Sequence, residues 1–518
     1  MRKVKPLDRE ILRLALPSIL ANITVPLVGL VDTAVAGHLH NLSGSSAEFI
    51  GGISVGAMLL SVIYWNFAFL RASTGGLTAQ AYGRSARRGL PSSGLRSLRS
   101  LRPLPSQAMG PTPCQSGAPE NLSIFGVLLP GVDRPSEGRS PRGELDECSG
   151  ILVRALKLSL GFAALLIVLQ WPISRLALIF RDATPHVATL AIQYVIIRIW
   201  AAPATLSLMA LKGWFIGMQD SVSSMLTDLT VNIVNIAASI ILSFGIGSWQ
   251  GLGFVGIPLG TVIAQYSGLL LALGICGFKY RVKIAGQAGN DRKGDGNNRK
   301  GDGIFGDFFK LNTDLFVRSL CFTGIYLGYT IIASRYGEVM LASANIMMNL
   351  LMIFSYFTDG FAYAGEALTG RFIGEKDREM VRRTVVQTFK WSFGVAGIWM
   401  LIYGLAGPGM LGLMTDDAAV LGACRAYIPW LLAMPLVGCA AFTWDGIYIG
   451  ATASHAIRNA MIWALAAFLG VWLAGAVLAP GISSPAAIHL LMAAYFAHLV
   501  ARTVYLTIDY RDTFRLYS

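Results

Sequence analysis

Twelve stretches of this chain are each long and apolar enough to cross a membrane as a helix, and no other feature constrains its fold as much. A helix needs about 20 predominantly apolar residues to span the hydrocarbon core. The candidates cover residues 11–37, 50–73, 150–180, 186–212, 223–247, 252–277, 316–336, 339–369, 386–414, 420–450, 455–479 and 485–508. Several contain Pro or Gly, which membrane helices tolerate because neighbours re-satisfy the freed backbone groups. Only 14% of the 518 residues are charged, against roughly 25% in soluble proteins, so a soluble body of this size could not be covered. The same composition excludes disorder for the chain as a whole. The expected class is an all-α polytopic membrane protein. The first apolar segment lacks a small-residue cleavage site after a short apolar region, and is expected to remain as a helix.

The net charge of +13 resolves into topology. Arg2, Lys3, Lys5, Arg9 and Arg13 precede or open span 1, and nine Arg lie between Arg84 and Arg142. The loops after spans 6 and 8 and the carboxyl tail are also rich in Lys and Arg, whereas Arg181, Arg335 and Arg425 are isolated in the alternate loops. This bias predicts that both termini are cytoplasmic, in a plasma (inner) membrane. A nucleic-acid surface is not needed to explain the charge. Six scattered cysteines form no CxxC pair, so neither a disulfide framework nor a zinc site is expected. No metal site or cofactor is expected.

The two halves of the chain repeat each other. Gly76-Leu-Thr-Ala-Gln-Ala-Tyr-Gly83 ends span 2, and Ala367-Leu-Thr-Gly-Arg-Phe-Ile-Gly374 ends span 8. Gly213-Trp-Phe-Ile-Gly217 ends span 4 with Ser221 beyond, and Gly446-Ile-Tyr-Ile-Gly450 ends span 10 with Ser454 beyond. Both matches pair a span with the one six later, which predicts parallel six-helix bundles related by a pseudo-two-fold axis along the membrane normal. The first match is offset by 291 residues and the second by 233, so the first half carries 58 extra residues between Gly83 and Gly213. The stretch of about 84–149, rich in Ser, Pro, Gly and Arg, is read as a disordered cytoplasmic insertion. Its alternatives are a basic lipid- or RNA-binding tail and a frameshift product. The expected division is a bundle over residues 1–280, a linker over 281–308 and a bundle over 309–518. The linker's repeated Arg-Lys-Gly-Asp-Gly lacks the calcium-loop register.

Ionisable groups inside a membrane cost roughly 2.5–3.5 kcal/mol at a helix centre, so each calls for a reason. Asp32 lies deep in span 1 with no basic residue near it in sequence, which makes it the leading candidate to bind a proton or cation. Pro17 and Pro26 precede it and remove backbone hydrogen bonds, which predicts a bendable helix. Asn232, Asn235 and Ser239 in span 5 share one helix face, lining a cavity or bonding a neighbouring helix. Thr261 with Gln265, and Tyr194 with Arg198, form similar pairs. Arg198 is either a counter-charge or a snorkelling side chain. In the second half, Asp359 is the deeper candidate, Glu366 is read as wetted, and Asp445 as interfacial. Arg71 and Arg198 are taken as the chief basic residues within the spans.

Several motifs together carry a family resemblance. Leu14-Ala-Leu-Pro17 followed by Gly29-Leu-Val-Asp32-Thr resembles the start of the MATE (multidrug and toxic compound extrusion) transporters. Asp359-Gly-Phe-Ala-Tyr-Ala-Gly-Glu-Ala367, Gly213-Trp-Phe-Ile-Gly-Met-Gln-Asp220 and Phe69-Leu-Arg-Ala-Ser-Thr74 resemble their DinF-like branch. The resemblance covers nearly all of the chain outside about 84–149 and 284–305. It implies a central cavity between two bundles, and exchange of H⁺ or Na⁺ for organic substrates. It also implies that Asp32 is the acid protonated in span 1, with Asn235 the neighbouring amide and Tyr194 and Thr261 cavity residues. Some DinF-like members carry Asp where this chain has Ser239, which places more weight on Asp32.

The expected function is therefore a secondary antiporter, acting as a monomer, that exports amphiphilic or cationic compounds. Ion coupling is assigned to Asp32, Asn235 and Ser239, and the substrate cavity to Tyr194, Arg198, Asn232, Thr261 and Asp359. A lone buried acid favours H⁺ over Na⁺. The rivals are sodium-coupled efflux, a lipid-linked oligosaccharide flippase, which would want an Arg-lined cavity, and a membrane-embedded enzyme, for which His/Asp/Glu clusters are missing. The sequence holds no Walker loop or nucleophile elbow.

Overall fold

In the computed structural model, residues 4–39, 46–89, 144–180, 185–280, 282, 299–478 and 484–515 are described. Helices make up the regular elements among them, apart from one isolated β-bridge between Ile246 and Trp249. Twelve segments have the length and apolarity to cross a bilayer. They are, as spans 1 to 12, Pro6–Gly37, Glu48–Arg87, Glu147–Val168, Pro185–Gly217, Ser221–Phe244, Gly253–Phe278, Lys310–Ser334, Glu338–Glu375, Arg378–Met414, Ile428–Gly450, Ser454–Leu478 and Pro485–Phe514. Each meets one of the twelve stretches read from the sequence.

The boundaries differ where the local chemistry demands it. Span 3 stops at Val168 and is followed by a short helix, Gln170–Arg175, and a 3₁₀ turn, Leu176–Phe180. Pro172 sits in the first turn of that short helix, where its missing N–H costs nothing. The expected tenth stretch is divided in the same way, into Ala418–Ala426 and Ile428–Gly450, with Pro429 in the first turn of the second. The ends of the expected insertion are helical, because one helix runs on to Gly89 and the next begins at Glu144. Residues 90–143 of it lie outside the described residues. The helix of span 7 starts at Arg299, so 299–308 of the expected linker are helical, while 283–298 lie outside the described residues.

Two breaks place side chains that matter later. Span 2 is two helices, Ser46–Asn66 and Phe69–Gly89, separated by a turn in which Phe67 N–H donates to Tyr64 O at 2.9 Å. That turn delivers Arg71 to the wall of an internal cavity. Span 4 is likewise Pro185–Arg198 and Ala202–Gly217, joined by a 3₁₀ turn that leads into Pro203. Arg198 therefore ends its helix.

Glycines that no side chain could replace hold the spans together. Helices in lipid gain no hydrophobic drive by associating, so close contact through small residues takes its place. A Cβ on Gly213 would strike the Arg71 carbonyl, and one on Gly217 the Gly75 carbonyl. Exactly parallel clashes arise in the second half, at Gly446 with the Ala362 carbonyl and at Gly450 with the Glu366 carbonyl. Every partner is displaced by the offsets found in the sequence, 291 between spans 2 and 8 and 233 between spans 4 and 10.

The same rule extends across the halves. A Cβ on Gly83 would meet the Arg371 carbonyl, and a Cβ on Gly374 would meet the Gln80 carbonyl, which are the same contact viewed from either bundle. Ala79 and Gly370 are counterparts and touch each other, so the pseudo-axis passes between them. The corners after spans 4 and 10 also correspond. Gln219 and Thr452 both adopt positive φ, 63° and 55°. Gln219 Nε2 donates to Ala367 O at 2.7 Å, and Gln80 Nε2 donates to Gly450 O at 3.1 Å. Beyond the first corner, Asp220 caps span 5 by accepting from Ser223 N–H at 3.2 Å. Burial pushes its carboxyl up, but bonds from Lys279, Ser223 and Tyr280 outweigh this and hold it below the usual range.

Gly374→Val drives its side chain into the Gln80 backbone, where nothing yields, while Gly409 has open space around it. The first substitution is expected to cost about 1–3 kcal/mol and Gly409→Val much less. Thermal unfolding of the two variants in one detergent compares them.

Candidate functional site

Span 1 carries Asp32 against span 5, and there the sequence-read polar face finds its partners. Asp32 is 6% exposed. Ser239 Oγ donates to its Oδ1 at 3.1 Å. Span 6 packs backbone-close behind this pair, since a Cβ on Gly260 would come within 2.7 Å of Ser239 N. One turn away, Asn235 Nδ2 donates to Thr261 Oγ1 at 2.9 Å, and its buried Oδ1 has no hydrogen-bond partner. Asn232 Nδ2 donates to Thr24 Oγ1 of span 1 at 2.6 Å. The stripe 232–235–239 is thus an interhelical seam, with two of its three residues bonded to span 1.

Span 4 adds the cation. Arg198 lies in electrostatic reach of Asp32 and donates to the hydroxyl of the fully buried Tyr194. Its hydrogen-bond partner is Tyr194 rather than the Asp32 carboxylate, which accepts from Ser239. Tyr64 of span 2 stands beside Arg198, its buried hydroxyl unpartnered. Asp32, Asn232, Asn235, Ser239, Thr261, Tyr194 and Arg198 therefore gather within the first bundle.

Asp359 is elsewhere. It lines a cavity of about 320 Å³ formed by spans 2, 7, 8, 10 and 12, and Asp32, Tyr194, Arg198, Asn232 and Thr261 are not among the lining residues. Asp359 has no hydrogen bond or ion pair with another described residue. Span 1 joins the two places. Its helix runs unbroken from Val4 to Gly37 with Pro17 and Pro26 inside it. At its other end it packs on span 8, where a Cβ on Gly360 would meet Ala15 O at 2.8 Å and Asn22 Nδ2 donates to Tyr356 O at 3.3 Å. Tyr356 is a wall of the cavity.

Three expectations are corrected here. Glu366 is not wetted: it is fully buried and paired to Arg71, Nη1 to Oε2, at 3.1 Å. Arg71 also lies over the Tyr363 ring, 4.3 Å from its centroid. Gly75, the repeat counterpart of Glu366, leaves the space its Oε1 occupies. Asp445 is not interfacial: it is 7% exposed and held by Arg318 at 2.5 Å and by Arg502 at 3.2 Å. Basic residues within the spans are accordingly more than Arg71 and Arg198, for Arg318 and Arg502 also line the cavity. Charge in a low-dielectric interior needs such pairing. The repeat held a signal for this. Asp445 and Lys212 occupy corresponding positions just before Gly446 and Gly213, and Lys212 is also ion-paired, to Asp228.

Comparison with known proteins places this architecture. The MatE family model matches residues 143–241 and 315–474. DNA damage-inducible protein F of Escherichia coli (strain K12) is 32% identical over 461 residues, which cover 89% of this chain and 84% of that protein. The chain belongs to the MATE family. A plant relative, Protein DETOXIFICATION 45, chloroplastic, of Arabidopsis thaliana, is 25% identical over 450 residues, 86% of this chain and 70% of its own. Among solved structures, a MATE protein in the bent conformation matches with TM-score 0.73 at 14% identity, over 100% of this chain and 99% of that one. An outward-facing multidrug resistance MATE family transporter of the MOP superfamily matches with TM-score 0.72 at 15% identity, with the same coverage. At these identities the likeness establishes the fold, the two MATE bundles of six spans. The DinF-like resemblance read from the motifs agrees with the E. coli relative.

Glu366→Gln leaves the half-buried Arg71 without its counter-charge. Breaking such a pair is expected to cost about 3 kcal/mol, and adding Arg71→Met should recover most of it. Unfolding midpoints of the single and double variants measure the difference.

Proposed function

We propose that this MATE chain is a proton-coupled antiporter that exports amphiphilic or cationic organic compounds by alternating access. It works as a single chain in the plasma (inner) membrane with both termini cytoplasmic. The observation that carries the reading is that one helix, span 1, bonds to the Asp32 site at one end and to the cavity wall at the other. When Asp32 is ionised it accepts from Ser239 and faces the Arg198 charge. A proton on Asp32 removes that attraction and converts an acceptor into a donor, which changes how span 1 sits on span 5. Pro17 and Pro26 remove two backbone hydrogen bonds between these ends, so the change is absorbed as bending. Bending moves Asn22 against Tyr356, beside Asp359. Proton and substrate then bind competitively because each favours a different arrangement of one helix, which is the requirement for coupling.

The cavity suits such substrates. Asp359 offers a carboxylate with no described partner, and Trp65, Phe322 and Phe442 give apolar walls. The close contacts of Gly83 with Arg371 and Gly374 with Gln80 shut the Arg- and Lys-rich end. With the proposed orientation the cavity therefore faces outward. A flippase would need uncompensated basic lining, whereas here Arg71, Arg318 and Arg502 are matched in number by Asp359, Glu366 and Asp445. One observation favours sodium as the second reading: the unpartnered Asn235 Oδ1, one turn from Ser239, could join Asp32 as an oxygen ligand.

Inverted vesicles test the reading. Substrate-induced collapse of a pH gradient is expected without added sodium. Asp32→Asn should leave insertion intact and reduce the collapse to about a tenth or less. A variant that exchanges at the wild-type rate removes Asp32 from the mechanism, and collapse that requires sodium transfers coupling to that ion.

A further inference from the structure

The cavity's charges are equal in number but not evenly placed. Arg71 and Glu366 neutralise each other. At the wall made by spans 7, 10 and 12, two guanidiniums share one carboxylate, since Arg318 and Arg502 both turn to Asp445 Oδ2. Asp359 of span 8 lies in electrostatic reach of both guanidiniums but makes no hydrogen bond or ion pair with either. Arg502 is 1% exposed; its Nη2 is ion-paired to Asp445 Oδ2 at 3.2 Å, its buried Nε has no hydrogen-bond acceptor, and its Nη1 donates only to Met461 Sδ, a weak acceptor, at 3.7 Å. The neighbouring His498 is also 1% exposed. Arg318 is different. Its side chain is 21% exposed, it lines the cavity, and Asp445 is its one hydrogen-bond partner among the described residues. A guanidinium has five donors; the Nε of Arg318 is buried without a partner and its Nη1 makes no hydrogen bond with a described residue, in a side chain that lines the space a substrate would fill.

We propose that Arg318, beside the buried Arg502, is an anion subsite of the cavity, and that the transporter accepts amphiphiles bearing a carboxylate or similar monoanionic head group. This rests on the cavity being the substrate site, and it widens the class beyond cations. The head group takes the free donors of Arg318 in a charge-assisted pair. The apolar body lies along Phe322, Met352 and Phe442, which line the same cavity. Asp359, on span 8, leaves room for a cationic group in the same ligand, so zwitterions fit as well as simple anions.

Equilibrium binding to the purified full-length chain tests this with three fluorescent probes of one body: 11-(dansylamino)undecanoic acid, its methyl ester, and dansylcadaverine. The acid should bind at least about ten-fold more tightly than the ester. Arg318→Gln should remove that preference while changing ester and dansylcadaverine binding less than about two-fold, and Arg318→Lys should restore part of it. Equal binding of acid and ester by the wild type overturns the proposal, and does so even if the Gln variant fails to fold. An acid preference that survives in a folded Arg318→Gln chain also overturns it. No ion gradient enters this measurement. Failure here leaves proton exchange standing, and failure of exchange in vesicles leaves the subsite standing.

Discussion

Backbone laid directly on backbone is the contact on which the rest of this molecule depends. Spans 4 and 10 lie on spans 2 and 8 through Gly213, Gly217, Gly446 and Gly450, and spans 2 and 8 meet through Gly83 and Gly374. In lipid there is no water to expel between helices, so the gain comes from dispersion contact and falls steeply with separation. Glycine brings the helix axes closest. The consequence is a rigid four-helix centre about the pseudo-axis, from which the other spans hang. The cavity is what remains where this centre opens, beyond the point at which Arg71 and Glu366 replace glycine as the filling.

Charge is the second organising cost. The membrane interior of this chain holds few ionisable groups, and most are committed: Arg71 to Glu366, Lys212 to Asp228, Arg318 and Arg502 to Asp445. Against that background two acids differ. Asp32 has one hydroxyl donor and a nearby guanidinium, and Asp359 has guanidiniums nearby but no hydrogen bond or ion pair with a described residue. A committed pair resists change, because separating it strands a charge. A weakly committed acid can gain or lose a proton or ligand with small disruption. In the proposed cycle, flexibility in binding therefore falls to the two acids, and stability to the pairs.

The sequence made the spans legible because apolar length is a one-dimensional property. The repeat was legible too, since the glycines that make the contacts are the residues the two halves share. Helical spacing put Asn235 and Ser239 on one face and apolar surroundings set Asp32 apart, while the family resemblance is what grouped the three. What could not be read was pairing across distant spans. Glu366 lay close enough to a span end to pass for wetted, yet Arg71, 295 residues earlier in the chain, buries it. Asp445 passed for interfacial for the same reason: its partners Arg318 and Arg502 lie on two other spans, and nothing in one dimension brings three helices together. The position of Tyr194, Arg198, Asn232 and Thr261 around Asp32, apart from the cavity of Asp359, is likewise a fact of packing.

A two-fold axis imposes its own constraint on such a cavity. On the axis each residue meets its counterpart, so any side chain placed there in both halves collides with itself, and any charge repels itself. This chain breaks symmetry at those positions. Glu366 stands where the first half has Gly75, and Gly370 where it has Ala79. The carboxylate fills the space its counterpart leaves, and Arg71 neutralises it from a position whose own counterpart is the small Ala362. Just off the axis, Lys212 in one half becomes Asp445 in the other. Duplication thus supplies the frame, and chemistry enters only where the copies differ. These particular differences lie around the axis, beside the cavity shared by the two bundles, whereas the Asp32 site lies within the first bundle.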